Sequence, residues 1–371
     1  MSWRKEDRLL LFLCRADAEQ TIEDRMSQTE KESIDWSLFL EKARANGMSA
    51  VVYFKLKKIK KDFLPIPSLT FEQMKMDYYL NAARNALIFE ELAKILQSFQ
   101  TSGIQVLVLK GAVLAERVYQ NLALRPMFDV DLLAKKEDLL CLDEQLKILG
   151  YRPTDMPVDQ VDLSSNYLTS LDYRSSQNSP SFHVHWHFVN STIPNESTIK
   201  KIRIENIWKE ARQATVAGVE TLEMAPHHLL IHLSEHSLRV THSLNRLSLL
   251  YDIDQALNFY RGKLDWERLI EDSIEFNLTR MVYLSLAFTS QFFGTAIPEN
   301  VLPKLRPERF TLGEKIFMSS IAKNSHLPGS SYFVHLALNK GLFRKAKFLS
   351  RTFFPPRKFI AQRNYIPLSE V

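Results

Sequence analysis

Residues 106–133 read VLVLKGAVLAERVYQNLALRPMFDVDLL, and this stretch decides the fold. Ile104 to Leu109 is a short, largely apolar run, the pattern of a fully buried strand. It stops at Lys110-Gly111, where glycine permits a tight turn and a close backbone approach to a ligand. Ala112, Leu114, Ala115 and Val118 then recur at helical spacing as far as Tyr119. A second strand follows, carrying Asp129 and Asp131. Carboxylates two residues apart on a strand point to the same face, so they can share one divalent cation while Val130 and Leu132 enter the core behind them. A strand, a glycine turn and a helix start also present N–H groups to an anion such as a phosphate. Arg125 stands just upstream of the aspartates, on the connecting loop.

A D-x-D dipeptide alone is common at solvated strand ends, and it also serves glycosyltransferases that hold a nucleotide sugar through Mn²⁺. The Lys-Gly turn upstream, Arg125 and the flanking apolar runs favour a metal site here. Further on, His183, His185 and His187 alternate with Val184 and Trp186. On a strand all three imidazoles project from one face, and imidazoles suit Zn²⁺ or another transition metal better than Mg²⁺. We expect site roles for His183 and His185 and an exposed strand end at His187. His228, His232 and His236 repeat every four residues after Pro226, which fits the start of a helix. No HExxH signature accompanies them, so His228 and His232 read as satisfied, partly buried residues and His236 as one facing a cleft.

LKGAVLAERVY, LRPMFDVDLL and FHVHWHF together resemble the motifs of a large bacterial nucleotidyltransferase family with an "LKG…R…D-hydrophobic-D" core, a branch of the polymerase-β-like nucleotidyltransferases. PHHLLIHLSEH followed by NRLSLLYDID is similar to the helical region after that family's catalytic part, and FFPPRKFIAQRNYI resembles its C-terminal tail. The resemblance implies an α+β fold: a polymerase-β-like mixed sheet flanked by N- and C-terminal helical segments. It also implies transfer of a nucleotidyl group from an NTP to an unidentified hydroxyl-bearing acceptor, a sugar, small metabolite, peptide, protein or RNA end. Asp129 and Asp131 would hold Mg²⁺ or Mn²⁺; Lys110, Gly111, Arg125 and His185 would lie on the nucleotide side. His183 stands where the family's usual acid-x-His-Trp has its acid, so a third carboxylate is missing there, and Lys110-Gly111 stands where the wider superfamily has Gly-Ser. This departure keeps two other readings open: a catalytically degenerate nucleotide-binding or scaffold protein, and a D-x-D glycosyltransferase.

The 371 residues divide into a helical region over 1–100, the nucleotidyltransferase core over 101–222, and a second helical region over 223–371. SLTFEQMKMDYYLNAARNALIFEELAKILQSFQ has the i, i+3, i+4 apolar spacing of a long helix. Ile34-Asp35-Trp36 is echoed by Leu264-Asp265-Trp266, each opening an amphipathic helix with aspartate as N-cap; Glu41/Glu271, Val52/Val282 and Tyr53/Tyr283 match at the same offset.

An apolar fraction of 45% with 25% charged residues is ordinary for a globular protein, and no run is long enough for a transmembrane helix. LLLFLC near the start is too short for a signal peptide and lacks a cleavage site. Cys14 and Cys141, both in apolar settings, read as reduced core residues of a cytoplasmic protein. The net charge of +5 is concentrated in KLKKIKK (55–61) and RKAKFLSRTFFPPRKFIAQR (344–363). We read the second as a helix that packs its phenylalanines on the core, in preference to a segment lying on an anionic membrane or nucleic acid.

Overall fold

The structure, a computed structural model, describes residues 3–18, 32–59, 64–154, 156–164, 168–175, 179–189, 201–239, 246–322, 332–339 and 341–355, with Arg357 and Ile360. Lys60 and Lys61 of the first basic run, Asn245, and the tail beyond Ile360 lie outside the described residues.

The chain forms an α+β fold around one mixed sheet in the order β3-β4-β5-β2-β1-β7-β6. Its strands are β1 (Val106–Val108), β2 (Asp129–Ala134), β3 (Tyr151–Pro153), β4 (Ser170–Ser175), β5 (Ser181–His185), β6 (Arg212–Val216) and β7 (Val219–Glu223). Strand β2 runs antiparallel to β1 and parallel to β5, and β5 runs antiparallel to β4. The register places Asp131 beside His183 and Leu133 beside His185 across the β2–β5 pair, and Asp172 beside His183 across β4–β5. Because side chains alternate between faces, one parity of β2 carries Asp129, Asp131 and Leu133, and the other carries Val130, Leu132 and Ala134.

The second parity is wholly apolar. Val130, Leu132, Phe182 and Val184 pack with Val106, Val108 and Tyr173 against Leu92, Ile95, Leu96 and Phe99 of the helix Ser68–Thr101. That helix runs 34 residues without a glycine or proline to interrupt it, and ends where Gly103 takes φ +71° and Ile104 N–H bonds to Phe99 C=O, as a left-handed C-terminal cap does.

The first parity faces helices drawn from both ends of the chain. Leu107 and Leu133 share a cluster with Leu9, Phe39 and Val52 from the N-terminal helices and with Leu230, Ile253, Val282 and Phe317 from the C-terminal ones. The internal echo extends into the backbone. Asp35 caps Trp36–Ala45 through Leu38 N–H, and Asp265 caps Trp266–Glu275 through Arg268 N–H, each at 3.0 Å. Both helices end alike, on Gly47 and Asn277 with φ +70° and +59° and on bonds from Met48 N–H to Ala43 C=O and from Leu278 N–H to Ser273 C=O.

Some expectations fail. Cys14 is buried, but Cys141 is exposed on the outer side of its helix, because one apolar neighbour on each side does not fix which face of a helix a residue occupies. In the basic helix Leu342–Phe353, Phe348 is buried, whereas Phe343, Phe353 and the following Phe354 are each more than 70% exposed. The phenylalanines of this segment therefore do not pack together on the described core. Among the described residues no helix is long and apolar enough to cross a membrane.

Candidate functional site

Asp129 begins β2 with its side chain 44% exposed, while Asp131, one pleat further in, is 4% exposed. Both oxygens of Asp131 are engaged: Oδ2 lies 3.2 Å from Lys110 Nζ and Oδ1 lies 2.9 Å from His185 Nε2. His183 sits between the carboxylates. Its Nδ1 is 3.5 Å from Asp129 Oδ2 and 3.8 Å from Asp131 Oδ1, and its Nε2 is 3.2 Å from Asp172 Oδ1. That Asp172 oxygen is buried and, among the described residues, makes no aligned hydrogen bond.

The charges follow from this packing. Burial works against a proton on His183, but Asp131 and Asp172 outweigh it, with Asp129 adding to them, and its pKa is pushed up to about 10. His183 is therefore an imidazolium lodged among three aspartates. His185 goes the other way, since complete burial outweighs its bond to Asp131 and lowers its pKa, leaving a neutral ring that donates Nε2–H to the carboxylate. Burial alone would raise the pKa of Asp131; Lys110, then the two histidines, hold it well below the usual carboxylate range.

Lys110 and Gly111 do not form a tight turn. They begin a helical turn, Lys110–Val113, that continues as a π-turn over Leu114–Val118. Gly111 has no positive φ. A methyl group there would stand 3.3 Å from Arg125 Nη1 and 3.5 Å from Met127 Sδ, so the glycine is needed for close approach of the Arg125 loop. Arg125 is clamped by Asp252 through Nε–H to Oδ1 at 3.0 Å and Nη2–H to Oδ2 at 2.9 Å, and Tyr119 O–H donates to the same Oδ1 at 2.8 Å. This clamp ties the loop before β2 to the helix Leu247–Phe259.

A cleft of about 430 Å³ opens over these groups, lined by Lys110, Gly111, Arg125, Asp129, Asp131, His183 and His185. Its opposite wall includes His236, Arg239, Arg246 and Asp252. All seven residues singled out in the sequence thus reach one cavity. Arg239 is held by a bidentate pair with Glu235, one turn back on the same helix, and Arg246 is exposed at the rim.

Other histidines depart from expectation. β5 ends at His185, so the alternation stops there, and His187 is buried with Nδ1 accepting Val189 N–H at 3.1 Å. His228 and His232 are completely rather than partly buried, because the helix Pro226–Ser237 is enclosed on most of its surface. Asp172 and Arg239 carried no signal by themselves, and Arg246 and Asp252 entered only within the NRLSLLYDID resemblance: each lies at least forty residues from the D-x-D pair and is joined to it only by strand register or helix docking. Asp172 could have been found by counting back from His183 across a β4–β5 hairpin. The donor atoms of Asp131, His183 and His185 lie within 4.8 Å of one another, as do those of Glu210, His227 and His228, so two groups could each hold a divalent metal ion.

No curated protein matches the sequence. A solved structure described as the solution structure of antibiotic-resistance factor ANT(2'')-Ia, with substrate-regulated conformation dynamics, is 12% identical and spans 56% of this chain and 98% of its own, at a TM-score of 0.36. Residues 32–294 match the model of a family described as "Uncharacterised nucleotidyltransferase". With the paired aspartates on β2, the mixed sheet and this match over most of its length, the chain belongs to that nucleotidyltransferase family.

Proposed function

We propose that the protein is a metal-dependent nucleotidyltransferase, transferring a nucleotidyl group from an NTP to a hydroxyl-bearing acceptor. The observation that carries this reading is the gathering of Asp129, Asp131 and His183, with Asp172 against the far nitrogen of the imidazole, in a cleft also lined by Arg239 and Arg246. The donor set suits a divalent ion. Asp129 Oδ2 and Asp131 Oδ1 both face His183 Nδ1, and the unsatisfied Asp172 Oδ1 can accept Nε2–H of the same ring. A carboxylate that fixes the tautomer of an imidazole so that its other nitrogen can ligate is a common outer-shell arrangement.

Asp129, Asp131 and, once its Nδ1 has lost its proton, His183 would hold the ion. When bound, such an ion would supply Lewis-acid stabilisation of the charge that develops on the phosphates. The remaining work belongs to the chain. Arg246, exposed at the rim, gives the polyphosphate a cation, with Arg239 beside it already paired to Glu235. Lys110 keeps Asp131 ionised, and the Arg125–Asp252 clamp fixes the loop that delivers β2. The acceptor oxygen attacks the α-phosphorus, a new O–P bond forms, and the bond to pyrophosphate breaks. An imidazole in place of a carboxylate favours Mn²⁺ over Mg²⁺.

A second reading is favoured by one specific observation. Asp131 is already paired with Lys110 and flanked by two imidazoles, which leaves its carboxylate less free to hold a catalytic ion. One experiment separates the two: the four NTPs, each with Mg²⁺ or Mn²⁺, are incubated with pools of sugars, small metabolites, peptides and RNA, and pyrophosphate is read. Release that requires Asp129 supports transfer. Nucleotide binding without pyrophosphate under every combination supports the binding-only protein.

A further inference from the structure

We propose that Glu210, His227, His228 and Asp272 form a structural Zn²⁺ site, separate from the aspartate cleft. Glu210 directly follows the helix Ile204–Lys209, the two histidines lie in the first turn of Pro226–Ser237, and Asp272 lies in Trp266–Glu275. His227 Nε2 is 3.1 Å from Glu210 Oε2 and 3.4 Å from Asp272 Oδ2, and His228 Nε2 is 3.2 Å from the same Asp272 oxygen. Four ligand atoms held about 2.0–2.1 Å from a tetrahedral Zn²⁺ stand about 3.3 Å from one another. These three separations match edges of such a tetrahedron, and the donor atoms of Glu210, His227 and His228 all lie within 4.8 Å of one another.

The hydrogen bonding points the same way. His227, His228 and Asp272 are 5%, 0% and 4% exposed. Yet His227 Nε2, both nitrogens of His228 and Asp272 Oδ2 are buried without an aligned hydrogen bond among the described residues. Leaving buried polar atoms unsatisfied is costly, and a shared cation removes that cost for the converging atoms together. The two rings are 4.1 Å apart, too close for a pair of imidazolium charges and suited to two neutral ligands.

The outer oxygens are held separately. Arg268 Nη2 donates to Glu210 Oε1 at 2.5 Å and lies 3.8 Å from Asp272 Oδ1, so Oε2 and Oδ2 remain for the ion. Such outer partners orient metal ligands. Two imidazoles and two carboxylates in four-coordinate geometry suit Zn²⁺. His228 and His236 are two turns apart on one helix, about 12 Å along its axis, so the site would anchor the helix whose far end lines the cleft.

The test uses the full chain, stripped with a chelator and reloaded with ZnCl₂, with metal read by mass spectrometry. His183→Gln, which disables the other cluster, should retain roughly one Zn²⁺ per chain, and wild type at least that much. Glu210→Gln and His228→Gln should bind Zn²⁺ at least about tenfold more weakly. Co²⁺ in its place should give the strong visible absorption of a four-coordinate site in wild type and in His183→Gln. Should His228→Gln fail to fold, the partly exposed Glu210→Gln carries the comparison. The proposal is overturned if reloaded wild type holds less than about a tenth of an equivalent, or if the bound zinc is lost in His183→Gln and kept in Glu210→Gln.

Discussion

Replacing Asp252 with alanine should destabilise the protein by about 3–5 kcal/mol, the usual cost of leaving one member of a buried ion pair without its partner. The geometry supports the upper half of that range. Asp252 accepts three hydrogen bonds, two from the Arg125 guanidinium and one from Tyr119, and the two side chains are 7% and 15% exposed. Solvent can neither screen the pair strongly nor solvate the guanidinium left behind. At roughly 2–4 °C per kcal/mol for a chain of this order of size, the melting midpoint should fall by about 6–20 °C. Arg125→Met should cost a similar amount, since it strands the Asp252 carboxylate. The double variant Arg125→Met/Asp252→Leu should recover most of the loss, because removing both charges eliminates the desolvation problem that either single change creates. A double-mutant cycle by chemical denaturation should return a coupling energy of about 3 kcal/mol, at the upper end for contacting residues. If Asp252→Ala costs less than about 1 kcal/mol, or the double variant is no more stable than the singles, then the clamp is not what fixes the loop before β2.

Other consequences follow from the same geometry. Asp129→Asn, at the half-exposed end of β2, should abolish metal-dependent nucleotide binding in calorimetry with little change in stability; unchanged Mg·NTP affinity would remove the metal assignment. Asp131→Asn should abolish binding too but also destabilise by about 3–5 kcal/mol, because it strands Lys110 in a buried site; denaturation curves of the two variants check this contrast. His183→Glu should bind Mg²⁺ more tightly than wild type but put a fourth carboxylate beside Asp129, Asp131 and Asp172, so its melting point should be lower in chelator and recover in Mg²⁺; a melting point indifferent to Mg²⁺ would contradict it. His335 is buried, donates to Leu238 C=O at 3.2 Å, and is pushed by burial down to about 4 from an ordinary 6.5. A histidine with a depressed folded pKa stabilises the fold fully above 6.5 and less as pH falls toward 4, a change of about 3 kcal/mol at 1.36 kcal/mol per unit. His335→Gln should flatten that part of the stability–pH curve between 6.5 and 4, and an unaltered curve would count against it.

Much of the site was legible because it is local. Asp129 and Asp131 share a face through strand periodicity, and His183 and His185 do so through the same rule, so residue spacing alone aligns each pair. The glycine at 111 was read as a tight turn and a close approach to a ligand, whereas it stands in a helical turn where its small size admits Arg125, a contact across the loop. The echo of Asp35-Trp36 in Asp265-Trp266 was legible for the same reason as the strands: capping and helix ends are set by a few neighbouring residues.

What brings those local pieces together was decided by the tertiary structure. The parallel pairing of β2 with β5 and the antiparallel pairing of β5 with β4 place His183 between Asp131 and Asp172, and no periodicity in one strand specifies the register of its neighbours. His183 therefore looked like a missing acid in the sequence, whereas in the fold an aspartate from the next strand stands against it. In the same way His228 appeared to belong with His232 and His236 along one helix face, while its contacts are with His227 and with Asp272 of another helix. Sequence spacing determines which side chains leave an element together; only the docking of elements, driven by burial of their apolar faces, determines which charges and imidazoles they meet.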